Sequence, residues 1–293
     1  MIAIAIVLAV LGAGLSAVGV QLQAAGVRDE SRDDRLKLRG IGRLTRNPRW
    51  LLGLAILSVC AGLQILALAL APVTVVAPIV VLALPVIVVL NARATGGHLG
   101  IQAILAVIAS TGGVALFVGL AAGAVSPVAF DESAVLRAGQ YVALVVVLLG
   151  VLGALRHGIV RCVALAAGTG AAYGLVSVLV RDVTFGFQHG EVSPLSVAGL
   201  VVAFATGSWF LQLAYASGPP DIVVGCQTVL SPLVATGLGI GVLDETVGAG
   251  GWRGIGLAAS GAIAIVGVAM LARRHPDARQ RLDETSTSAS SVR

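Results

Sequence analysis

LSVAGLVVAFATGSWFLQLAYASGPPDIVVGCQTVLSPLVATGLGIGVL, residues 195–243, reads as two apolar runs, 195–215 and 222–243, divided by Gly218-Pro219-Pro220-Asp221. Asp221 is the single charge in the stretch. About 20 apolar residues suffice for a helix to cross a hydrocarbon core of about 30 Å. Each run meets that length, and each is apolar on all sides. A barrel strand would instead alternate polar and apolar over about ten residues. The Pro pair ends one helix and opens the next, with Asp221 placed to cap the incoming one. Two membrane helices joined by a tight turn are therefore expected.

The rest of the chain repeats that signal. Further apolar runs lie at 2–25, 50–70, 73–90, 101–121, 138–155, 162–180 and 254–271, which makes nine expected spans in an all-α polytopic membrane protein. Composition agrees: 57% of residues are hydrophobic and 11% charged, against roughly 25% charged in a soluble domain. The 38 glycines are spread along the apolar runs, where small residues let backbones approach. Cys60, Cys162 and Cys226 fall in or at the ends of these runs and are expected to be structural.

Charge sets the orientation. Sixteen of the nineteen Lys and Arg fall on one side, in the loop 26–49, at Arg93, Arg156 and Arg161, and in the tail; only Arg137, Arg181 and Arg253 fall on the other. The positive-inside rule then places the loop and the C-terminus in the cytoplasm and the N-terminus outside, in the cell membrane. The net charge of +5 is explained by these flanks and not by nucleic acid. The Ser/Thr-rich tail, 273–293, reads as disordered. The loop's main expected role is a positive anchor, with contact to anionic headgroups as a second.

An internal repeat at an offset of 148 residues organises the chain. Leu63-Gln64-Ile65-Leu66-Ala67 returns as Leu211-Gln212-Leu213-Ala214-Tyr215, and Ala71-Pro72 with Val75-Val76 returns as Pro219-Pro220 with Val223-Val224. Pro85 and Pro232 lie one residue apart after alignment. Helices one to four thus match six to nine, across a first unit 1–155 and a second unit 156–272. A spacing of five helices inverts the second copy in the membrane. Inverted repeats are common in secondary transporters, with the solute site between the halves.

The second half also carries Thr228-Val229-Leu230-Ser231-Pro232-Leu233 and Gly241-Val242-Leu243-Asp244-Glu245. With the Gln212–Pro219 stretch, this resembles the drug/metabolite transporter superfamily, of the EamA-like kind. His98 or Gly97 stands where that pattern has a Glu in the first half, and the family's tenth helix is missing. Ala71-Pro72-Val73-Thr74-Val75-Val76-Ala77-Pro78 is more distantly similar to the NIPA magnesium-transporter branch. The resemblance implies transport of a small organic solute or metabolite, with divalent cations as the alternative substrate. A non-transporting subunit that binds lipid or a partner protein is the reading from another class.

Few groups remain that could carry chemistry. Nothing fits a nucleotide-binding GxxxxGK[ST], an HExxH or a GxSxG, so no enzyme activity, catalytic residue, metal ligand or cofactor is expected. The four histidines fall in expected loops or tails. Neutral polar and aromatic residues within the spans are the candidates for contact with an uncharged or zwitterionic solute: Gln64, Tyr173, Trp209, Gln212 and Gln227, with Ser208, Thr228 and Ser231 nearby in sequence. Their competing role is hydrogen bonding between helices. Pro78, Pro85 and Pro232 each free a backbone carbonyl and are candidate hinges. Gly170-xxx-Gly174 and Gly237-xxx-Gly241 are expected at close helix contacts. The expected partners are the bilayer and a small solute, with a second copy of the chain as a further candidate.

Overall fold

The computed structural model describes residues 2–30, 41–70, 83–94, 101–122, 131–242 and 252–273, and these form helices with short turns and no strands. In chain order they are α1 (Ile2–Glu30), α2 (Ile41–Leu44), α3 (Pro48–Leu70), α4 (Ala83–Ala94) and α5 (Ile101–Ala122). Then follow α6 (Glu132–Leu155), α7 (Gly158–His189), α8 (Pro194–Ser217), α9 (Pro220–Gly241) and α10 (Trp252–Arg273). Seven of the described helices are long and apolar enough to cross a membrane: α1 and α5 to α10. The second expected span is α3, whose apolar stretch Pro48–Gln64 is shorter. Of the third, α4 is described, while 73–82 with Pro78 lies outside the described residues. Gly97, His98, Glu245 and the tail 274–293 also lie outside them.

Local chemistry sets the boundaries. Pro194 opens α8 and Pro220 opens α9, where the missing N–H of proline costs no helix bond. Pro219 occupies the α9 cap position, so Asp221 stands inside the first turn, buried, and not at the cap position expected from sequence. α7 outruns its expected end at 180 and stops at Gly190, whose φ of 79° suits a residue without Cβ and whose N–H bonds Gly186 O. His189 therefore closes a helix and does not lie in a loop; its ring stacks on Phe185 at 4.1 Å. α1 likewise continues past 25 to Glu30, where Arg49 Nη1 donates to Asp29 Oδ2 at 3.0 Å.

The helices face lipid and protein in different ways. On α6, Val135, Ala138, Val142, Val146 and Gly153 make one buried stripe, and the intervening Leu144, Val147 and Leu148 are exposed. That is the pattern of a peripheral span with one face in hydrocarbon. α7 is the opposite, with two thirds of its apolar window buried. It packs against α6, α8 and α9. α1 packs against α3 and α4, α5 against α10, and α4 against α9. The end of the bundle that carries Arg28, Arg49, Arg156 and Arg161 is the basic end.

Glycine sets how close these pairs come. A Cβ on Gly53 of α3 would stand 2.7 Å from Gln23 N, and one on Gly26 of α1 would stand 2.7 Å from Trp50 N. α5 and α10 meet by the same reciprocal device, Gly113 against Ala264 and Gly267 against Ala106 O at 2.8 Å. Gly170 and Gly174 do sit at a close contact, seating Leu230 and Val234 of α9. Gly237 and Gly241 do not: a Cβ on either would meet nothing within 4 Å among the described residues.

Candidate functional site

α7 and α8 lie antiparallel and are stitched at three levels. At the basic end Arg161, 8% exposed, donates from Nε to Ser217 Oγ at 2.9 Å and from Nη1 to Gly153 O at 2.8 Å. Ser217 Oγ in turn donates a hydrogen bond to Leu213 O at 2.7 Å. At the opposite end Ser196 Oγ donates to the buried Asp182 Oδ2 at 2.6 Å. Between them Tyr173 OH and Ser208 Oγ are 3.1 Å apart, and the Tyr173 ring stacks on Phe204. Arg161 and Asp182 are 21 positions apart on α7, about 30 Å of helix, as are Ser196 and Ser217 on α8. Two ionic groups are thus held near the ends of a buried helix, where the desolvation of charge costs least in a membrane.

Beside this hairpin the accessibility pattern changes. Every residue of α8 from Ser208 to Leu213, and every residue of α9 from Leu230 to Thr236, is half-buried. A span with one face in protein and one in lipid alternates buried and exposed positions with the helical period, as α6 does. Uniform partial access around nearly two turns marks segments that neighbours surround but do not close against. Pro232 lies inside the α9 segment, and its missing N–H leaves the Thr228 carbonyl without its helix bond.

The sequence-derived candidates fall around these segments. Tyr173 on α7, Trp209 and Gln212 on α8, and Gln227 on α9 are all half-buried. Gln227 Cα faces Gly170 of α7, and Tyr173, three residues further along α7, faces Gly207 and Ser208 of α8. Gln212 is engaged: its Oε1 accepts from Trp50 Nε1 of α3 at 3.1 Å, the interhelical role that competed with solute contact. Trp209 packs against the apolar core at the basic end. Gln64, also half-buried, lies on α3, and no described hydrogen bond joins it to the others. Pro85 is within α4, and the helix runs on through it.

Sequence reasoning missed Arg161, Asp182, Ser196 and Ser217 as a set. Arg161 counts among the flank charges, yet the structure buries it in the first turn of α7. The readable signal was the equal spacing of the two charged residues and the two serines on neighbouring antiparallel spans. Cys60, Cys162 and Cys226 are all buried and are not joined in a disulfide. Among the described residues no three His, Cys, Asp or Glu side chains gather in a way that could hold a metal ion. Comparison with family models, with curated proteins and with solved structures gave no match.

Proposed function

We propose that the chain is a secondary transporter that moves a small uncharged or zwitterionic organic solute by alternating access between two inverted halves. In this reading nine spans form the units 1–155 and 156–272, of the drug/metabolite transporter kind. α1, α3, α4 and α5 correspond to α7, α8, α9 and α10.

The packing supports the matching. α1 lies on α3 and α4 as α7 lies on α8 and α9, and α4 touches α5 as α9 touches α10. α4 meets its own counterpart α9, and α5 meets α10. Pairs related by a pseudo-dyad in the membrane would pack in this way. α6 rests on α7 and α8 and has no counterpart on α1 and α3 among the described helices.

The observation that carries the solute site is the pair of uniformly half-accessible segments, Ser208–Leu213 and Leu230–Thr236, beside a proline within α9. Their polar groups, with Tyr173, Gln227 and Thr228 alongside, are neutral amides, hydroxyls and an indole. Such groups suit a neutral or zwitterionic organic molecule better than a hard divalent cation, which wants several oxygen ligands including carboxylates. With the basic end in the cytoplasm, the site opens alternately to either side of the cell membrane.

The test is uptake by proteoliposomes against a panel of amino acids, nucleosides and other neutral organic solutes, with Mg²⁺ as a separate arm. Saturable flux of an organic solute is the expected result. Flux of Mg²⁺ alone overturns the substrate class. No flux at all, with a protein or lipid retained in stoichiometric amount, replaces transport by a binding subunit.

A further inference from the structure

The basic end is where the two halves are packed into one core. A single cluster joins Val27 of α1, Leu44 of α2 and Ile87 of α4 to Cys162 of α7, Tyr215 of α8 and Cys226 of α9. Every one of these side chains is nearly inaccessible. The second cluster draws its members from α6 to α9 alone, with Ala171, Leu175, Leu179 and Ala203 at its centre. Against the first cluster packs Trp50, whose Nε1–H reaches Gln212 Oε1 across 162 positions of sequence. Trp50 is fixed from behind: Asn47 Oδ1 accepts from Trp50 N at 3.2 Å, and Gly26 leaves room for its backbone against α1.

Resting on the transport reading above, we infer that Trp50 and Gln212 form the latch of a gate at the basic end, closed in this structure. Apolar contact between helices has no hydrophobic drive in lipid, so the packed cluster can part and re-form. The directional element is the indole–amide bond. Indole is a donor only, whereas the amide can pair with another donor once the indole leaves. Both partners are neutral, so opening strands no charge. Gln212 also lies within the half-accessible segment Ser208–Leu213. A solute that donates to Gln212 Oε1 competes with Trp50 and releases the latch, which couples occupancy of the site to opening of the basic end.

The measurement is N-ethylmaleimide labelling of full-length chains in proteoliposomes, each retaining one native thiol. Cys226, 3% exposed within the cluster, reports the gate; Cys60, on α3 and 7% exposed, reports general loosening. Trp50→Phe keeps a smaller aromatic ring and loses the donor, and Gln212→Leu loses the acceptor. Each is expected to raise the Cys226 rate about threefold, the effect of one average membrane hydrogen bond, and the double variant no further. The Cys60 rate stays level. An unchanged Cys226 rate in both single variants overturns the latch, and so does an equal rise at Cys60. Labelling needs no solute, so the two readings fail separately. Gated labelling without any flux removes transport and leaves the latch, and flux with ungated labelling does the reverse.

Discussion

The hairpins α1·α3 and α7·α8 have the same antiparallel geometry and are held in opposite ways. In α1·α3 the two backbones touch, Gly53 on Gln23 and Gly26 on Trp50, and the ion pair Arg49–Asp29 sits outside in the open. In α7·α8 the glycines face side chains, Gly168 on Phe210 and Gly207 on Tyr173, and the specific contacts are buried bonds of charge or phenol to serine. Close backbone approach gains dispersion and admits no added atom. A serine stitch gains direction and tolerates some movement in between. One hairpin is therefore a rigid plate, and the other a plate joined by directional polar contacts.

That contrast is broken most severely at Gly53. Gly53→Leu drives a side chain into the α1 backbone, where a Cβ alone stands 2.7 Å from Gln23 N and 2.8 Å from Gly19 O. Backbone within a helix cannot rotate aside. Overpacking commonly costs about 1–3 kcal/mol, and a backbone clash belongs at or above the top of that range. Loss of the monodisperse species in detergent, or a large drop in melting temperature, is expected. Gly207→Ala meets the edge of the Tyr173 ring at 2.7 Å, which can tilt, so its melting temperature should fall far less. Equal losses at the two sites would erase the distinction between the hairpins.

The stitches come next. Arg161→Met removes a charged donor from Ser217 and Gly153, and bonds of that kind contribute about 1.5–3 kcal/mol. Ser196→Ala takes one donor from the buried Asp182 and should cost about 1.5 kcal/mol, at the low end because Asp182 keeps other interactions. Thermal melts in one detergent give the order. A Ser196→Ala protein as stable as the parent would mean that the end of the hairpin opposite the basic end is not closed by this bond.

Seven of the nine expected apolar spans, and their order, were legible because length and hydropathy alone decide what crosses lipid. Among the ends that moved, Glu30 and His189 did so because a helix can outrun the bilayer when its extra turns find polar partners or a glycine cap. The close contact at Gly170 and Gly174 was also legible, yet the same spacing at Gly237 and Gly241 faces open space. Spacing reveals where a helix is able to come close, and only the fold supplies the partner. The candidate residues were half legible for the same reason. Polarity within a span marks Tyr173, Gln212 and Gln227, but whether each turns to a neighbour or to a solute depends on register between helices. Trp50 went unnoticed because it stands at the very start of α3, where an interfacial aromatic is ordinary.

Tyr173 is where the smallest effect decides the most. Its hydroxyl lies 3.1 Å from Ser208 Oγ, and its ring stacks on Phe204, so Tyr173→Phe deletes one neutral bond and keeps the stacked ring. Such bonds average about 0.6 kcal/mol in membrane bundles, a shift of only a degree or two in melting temperature. If the hydroxyl serves only to stitch α7 to α8, Ser208→Ala should give the same loss, the double variant should add nothing, and solute flux should keep its KM. If it also meets the solute, Tyr173→Phe raises KM while Ser208→Ala, which leaves the phenol free to donate, does not. A matched rise in both would mean that Ser208 only aims the phenol and that the pair acts as one group.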